Sequence, residues 1–207
     1  MKKAMMIALA LIMMAGFSGL AAAKNNAEKQ AASAAAADKT APSYDMKAQA
    51  LVDLQQMQKK YADLAQSIPA DKYTWRPGSG VRSVSELFLH VAEANYNIPT
   101  MMSGTNPAPG FQKEGFEKST TDKVKIVDQL NKSFGYAMTA VQNMSNADFA
   151  KPEKKLGPDA NDGDVIYILV THNHEHLGQS IAYARINGVI PPWTEEAQKK
   201  NAKTAAE

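Results

Sequence analysis

Cysteine is missing from all 207 residues. Its absence excludes disulfides, thiolate nucleophiles, cysteine-ligated zinc or iron–sulfur centres, and a lipoprotein attachment point. An excess of one charge is missing too. The 23 lysines and arginines against 21 acids leave only +2, which is no footprint for nucleic acid, and no such partner is expected. Glycine (12) and proline (10) are too few for a collagen-like chain, and 44% hydrophobic residues are too many for a wholly disordered one. No stretch alternates apolar and polar residues as a half-buried strand would, and there is no internal repeat. The length suits one domain with tails, enough chain for a sizeable core.

The N-terminus reads as a targeting segment. Lys2 and Lys3 precede an uncharged stretch from Ala4 to Ala23 whose apolar part includes Ile7, Leu9, Leu11, Ile12 and Phe17, and which ends in Ala21-Ala22-Ala23. A basic start, an apolar middle and a small-residue end follow the order of a secretory signal peptide over residues 1–23. The competing reading is an uncleaved anchor, since about twenty uncharged residues can just span a bilayer. The small, weakly apolar end favours cleavage. Cleavage removes two lysines and no acid, leaving 21 residues of each sign. An exported, periplasmic or secreted, chain with no stable membrane insertion after cleavage is therefore expected.

The rest of the chain organises into helices. Residues 24–42 are rich in Ala, Lys, Asn and Gln and read as a tether. Leu51, Leu54, Met57, Tyr61, Leu64 and Ile68 then recur at spacings of three and four, ended by Pro69. Ser83-Val84-Ser85-Glu86 is a capping box that opens a second helix through Leu87, His90 and Ala94, with Pro99 ending or kinking it. A third helix is expected from about Thr121, carrying Val127, Leu130, Phe134, Met138, Val141 and Met144. A fourth begins near Asp164 and stops at Asn187-Gly188. Val189 to Trp193, with two prolines, is expected to be non-helical and to lie against the other helices, and 194–207 reads as a polar tail. Residues 43–193 thus predict an all-α four-helix bundle.

Three of the four histidines fall in one stretch, His172-Asn173-His174-Glu175-His176. At about 100° per residue, His176 lies about 40° from His172, while Gln179 and Tyr183 lie about 20° to either side of it. Val165, Ile168 and Leu169 above and Ile186 below continue the stripe, whereas His174 points about 160° away. Polar side chains over three turns of a core-facing stripe are costly unless satisfied. A hydrogen-bonded network satisfies them; so does a metal, because neutral imidazole suits zinc and other transition metals. His90, on the core stripe of the second helix, is the remaining histidine and can complete a three-histidine set with an open coordination position. His172-x-x-Glu175-His176 also fits a zinc-peptidase expression, with Glu175 as general base. That reading needs a distant further glutamate in a large α/β domain, and the acids that follow are Glu195, Glu196 and Glu207 in the polar tail. A di-iron carboxylate bundle needs two Glu-x-x-His pairs, which are absent.

Taken in order, Trp75-Arg76-Pro77, Ser83-Val84-Ser85-Glu86-Leu87 into His90, His172-x-x-x-His176-x-Gly178-Gln179 and Tyr183-x-Arg185-x-Asn187-Gly188-x-x-Pro191-Pro192 resemble the DinB-like (DinB/YfiT) family, from about Tyr44 to Trp193. The resemblance implies a bundle in which His90, His172 and His176 bind a divalent metal, often zinc or nickel. It further implies a metal-dependent enzyme on a small molecule, of hydrolase or thiol S-transferase type, with a homodimer through exposed helical faces as an added expectation. A non-catalytic metal- or ligand-binding bundle is the alternative.

A three-histidine metal with an open position acts as a Lewis acid and lowers the pKa of a bound water or thiol. Few groups are available to work with it. Glu93, one turn beyond His90, is a candidate to orient an imidazole or serve as a base, and Gln179 and Tyr183 are candidates to orient substrate. Trp75, Tyr96 and Met101 are candidates for a pocket mouth, with ordinary packing as the other reading.

Overall fold

The computed structural model describes residues 45–206. The expected signal segment, 1–23, and the Ala-rich tether, 24–42, lie outside the described residues. Five α-helices follow: α1 Met46–Ser67, α2 Val84–Asn97, α3 Lys123–Gln142, α4 Asp162–Ile186 and α5 Pro192–Ala206. Among the described residues there is no β-strand, only an isolated antiparallel bridge between Pro152 and Asn161. None of the described helices is long and apolar enough to cross a membrane.

Local chemistry sets the helix ends. Ser83 caps α2: its hydroxyl accepts from Glu86 N, and the Glu86 carboxylate accepts from Ser83 N at 2.8 Å. Asn161 and Asp164 build the same reciprocal cap at the start of α4, two residues earlier than the apolar pattern indicated. Asp122 caps α3 through Val124 N and Lys125 N. Pro99 ends α2 by passing it into a one-turn 3-10 helix, Ile98–Met101. Gly188, at φ +77°, supplies the left-handed residue that stops α4.

The expectation of four helices misses α5. Pro191 and Pro192 read as breakers, yet proline is tolerated in the first turn, where its missing N–H has no intrahelical acceptor. Pro192 opens α5, and Trp193 is therefore helical. α5 packs on α1, where the Lys60 ammonium lies 5.7 Å from the Trp193 ring centre.

α1 and α2 each pack against both α3 and α4. Between them lies one core that includes Leu54, Tyr61, Phe88, Phe134 and Leu169, all essentially inaccessible. The buried face of α4 is broader than one stripe, because α1 and α2 cover it from two sides. Ile166, Asn173, Leu177, Ser180 and Ala184 are buried, while Ile186, expected on the core stripe, is 64% exposed.

A polar network crosses this core. Tyr61 OH donates to Asn173 O at 2.8 Å; Asn173 Nδ2 donates to Asn95 Oδ1 at 2.8 Å and Leu169 O at 2.9 Å; Asn95 Nδ2 donates to Ser133 Oγ at 3.5 Å. The chain of bonds touches α1, α2, α3 and α4. Asn95 and Asn173 are fully buried, so sliding α2 along α4 would break the bond between them and leave Asn95 Oδ1 buried without a partner, at the cost of its desolvation. Asn95→Ala is expected to destabilise the protein by about 1–3 kcal/mol. Val124→Ala, at a 76% exposed position, should stay within about 0.5 kcal/mol. Urea unfolding of the two variants checks the difference.

Candidate metal centre

α2 carries His90, and α4 carries His172 and His176 one turn apart. The α2–α4 register brings the three rings together. His90 Nε2 and His172 Nε2 are 3.2 Å apart. The His176 ring centre lies 4.7 Å from that of His90 and 4.4 Å from that of His172. One ring nitrogen from each residue can be chosen so that all three lie within 4.8 Å of one another. Two nitrogens tetrahedrally bound to one zinc stand about 3.3 Å apart, close to the His90–His172 separation. His174 and Glu175 are exposed on the outer face of α4. Glu175 therefore does not stand where a peptidase base would.

Hydrogen bonds dictate which ring nitrogens carry protons. His90 Nδ1 is 2.7 Å from Glu117 Oε1. Glu117 also takes both arms of Arg82, Nε to Oε2 at 2.7 Å and Nη2 to Oε1 at 3.1 Å. Burial pushes this carboxyl up, but the bonds and charges of Arg82 and His90 outweigh burial and hold it below the usual range. Glu117 is thus an ionised acceptor, so His90 Nδ1 donates and its Nε2 keeps a lone pair.

The same logic runs on the other side. Tyr183 OH donates to Arg82 O at 3.3 Å, so it can only accept from Gln179 Nε2, 3.1 Å away. The amide oxygen of Gln179 then faces His176 Nδ1 at 2.9 Å and must accept. His176 also presents a bare Nε2. Arg82 closes the circuit, with its side chain on the His90 branch and its carbonyl on the His176 branch.

His172 differs. Its Nδ1 is buried with no partner among the described residues. Burial first, then the neighbouring His176 and His90 rings and Arg82, push its pKa down to about 4. Burial likewise lowers His90, against the opposing pull of Glu117. Two imidazoles whose Nδ1 atoms are taken by acceptors, and a third whose Nε2 lies 3.2 Å from that of His90, fit a divalent transition metal.

Other candidates fall in several places. Gln179 and Tyr183 join the site, as the chain that orients His176. Glu93 does not orient an imidazole: Glu117 occupies His90 Nδ1, and the Glu93 carboxylate lies 4.0 Å from Lys113. Burial, reinforced by Glu117, pushes Glu93 up. Trp75 packs edge-on against Tyr183, with ring centres 5.4 Å apart. Tyr96 lines a separate aromatic pocket with Phe111 and Phe116, and Met101 packs against the core. Neither stands at a mouth of the histidine site.

Neither Glu117 nor Arg82 carries a periodicity or motif signal in the sequence. Glu117 lies in a one-turn 3-10 helix, Phe116–Lys118, inside a polar loop. Gly115, at φ +72°, turns the backbone into that helix. A groove of about 540 Å³ opens beside these residues, with Arg82, Glu117 and Gln179 in its wall.

Two outcomes follow from this geometry. Glu117→Gln removes the charge that fixes the His90 tautomer and should weaken metal affinity about ten- to a hundredfold, whereas Glu93→Gln should leave it unchanged; competition with a chromophoric chelator checks both. For metal-free protein, the folded pKa values of His90 and His172 lie below the unfolded value of about 6.5. The unfolded chain takes up protons first, so stability is complete above about pH 6.5 and falls as the pH drops toward 4. Urea midpoints measured across that window test the sign.

Residues 53–180, more than half of the chain, match the family model of the DinB superfamily. Among solved structures, a DinB-like protein from Bacillus cereus ATCC 10987 superposes with a TM-score of 0.57 at 15% identity, covering 68% of this chain and 93% of that one. That likeness is one of fold. No curated protein matches the chain. The motif order, the helical architecture and the family match agree: this chain belongs to the DinB superfamily.

Proposed function

We propose that this is an exported, metal-dependent enzyme acting on a small molecule, by hydrolysis or thiol S-transfer. Helices α1 to α4 form its four-helix bundle, and His90, His172 and His176 hold a divalent metal, zinc or nickel. The observation that carries the reading is the convergence of the three rings, two with Nδ1 tied to acceptors. Export rests on Lys2, Lys3 and the apolar stretch ending at Ala23.

A divalent metal bound there supplies Lewis acidity and an open position for a reacting group. The chain's own residues do the rest. Glu117 holds the proton at His90 Nδ1, and Gln179 holds the one at His176 Nδ1, so both rings stay aimed inward. Arg82 keeps both holders in place. The groove beside them is of a size for a small molecule, which favours the enzymatic reading over a non-catalytic metal-binding bundle.

Elemental analysis of untagged protein tests the assignment. About one divalent ion per chain is expected in the wild type and in His174→Ala, and none in His90→Ala or His176→Ala. Equal metal content in all four proteins would overturn it.

A further inference from the structure

The groove walled by Arg82, Glu117 and Gln179 has an uneven charge inventory. Two of its cations are spent on its two carboxylates. Arg76 Nη2 lies 3.1 Å from Glu86, which also caps α2, and Arg82 grips Glu117 with two hydrogen bonds. Lys118 is the lining charge with no ion-pair partner among the described residues. A smaller cavity of about 200 Å³ shares Arg76, Glu86, Glu117 and Lys118 with the groove and adds Thr74, Ser83, Ser85, Thr120 and Thr121. Val81 is the one sizeable apolar side chain in the wall of the larger cavity. A lining this polar disfavours an apolar ligand, because the charged groups would lose water without replacement.

We infer that the groove binds the carboxylate end of a small monoanionic substrate, with Lys118 and the adjoining threonine hydroxyls as its partners. One unbalanced positive charge matches one negative charge. A dianion would place its second charge among Glu86 and Glu117, at a repulsive cost. Glu117 and Gln179 share this wall with Lys118, so the remainder of a molecule held at Lys118 lies against the residues that orient His90 and His176. The carboxylate subsite itself needs no metal. Only its role as a substrate subsite rests on the metal-dependent reading above.

Acetate, titrated at constant ionic strength into the full chain and followed by amide 1H–15N shifts, tests this. The metal-free protein is measured first and the zinc-loaded protein second. Saturable shifts at Lys118, Thr120 and Thr121 are expected in both states. Lys118→Ala should weaken acetate binding about tenfold, and Lys118→Arg should retain it, with zinc content and circular dichroism unchanged in both variants. Equal acetate affinity in Lys118→Ala and wild type would overturn the subsite. So would tighter binding of inorganic phosphate than of acetate at pH 7. Acetate binding in a protein that takes up no zinc would instead refute the metal reading and leave the subsite standing.

Discussion

A buried imidazole has two nitrogens, and each must meet a partner or lose hydration without compensation. In this protein that requirement organises the site. Glu117 and Gln179 each occupy one nitrogen of a histidine and thereby decide that the other points inward without a proton. Because Arg82 holds the ends of both branches, the tautomers of His90 and His176 are set together. His172 joins the set through Nε2, 3.2 Å from His90 Nε2, and burial pushes its pKa down to about 4.

The scaffold serves the same arrangement one layer further in. Asn173 lies between His172 and His176 on α4, and its amide is bonded to Asn95, five residues beyond His90 on α2. The Asn95–Asn173 bond therefore fixes the register that brings the histidines together. Apolar packing alone would tolerate small slides between helices; a fully buried amide pair does not. Specific polar bonds set the positions, and the surrounding core supplies most of the stability.

Much of this was legible in the sequence, for reasons that differ by element. The histidines stood out because there are only four, and two of them recur at helical spacing on a core-facing stripe. The capping box at Ser83 announced α2 because its chemistry is local. Glu117 was illegible: it sits in a polar loop without periodicity, and only the backbone turn at Gly115 and the tertiary fold carry it to His90. Glu93 attracted the same role through helical spacing, which shows that a helix face locates neighbours on one element and not on a packed loop. Asn173 carries a signal of its own, a lone amide among Ile166, Leu169 and Leu177. α5 was hidden by two prolines whose place in a first turn made them compatible with a helix. The groove's charge pairing also depends on long-range contacts, Arg82 with Glu117 above all, and no spacing rule reports those.

Glu117 and Gln179 hold His90 and His176 with bare Nε2 atoms before any metal arrives. Long-range 1H–15N spectra of the imidazole rings in metal-free protein at neutral pH test it most directly. Both residues are expected in the Nδ1–H tautomer, with their Nε2 resonances moving on addition of zinc. An Nε2–H tautomer in either ring, or Nε2 resonances indifferent to zinc, would contradict it.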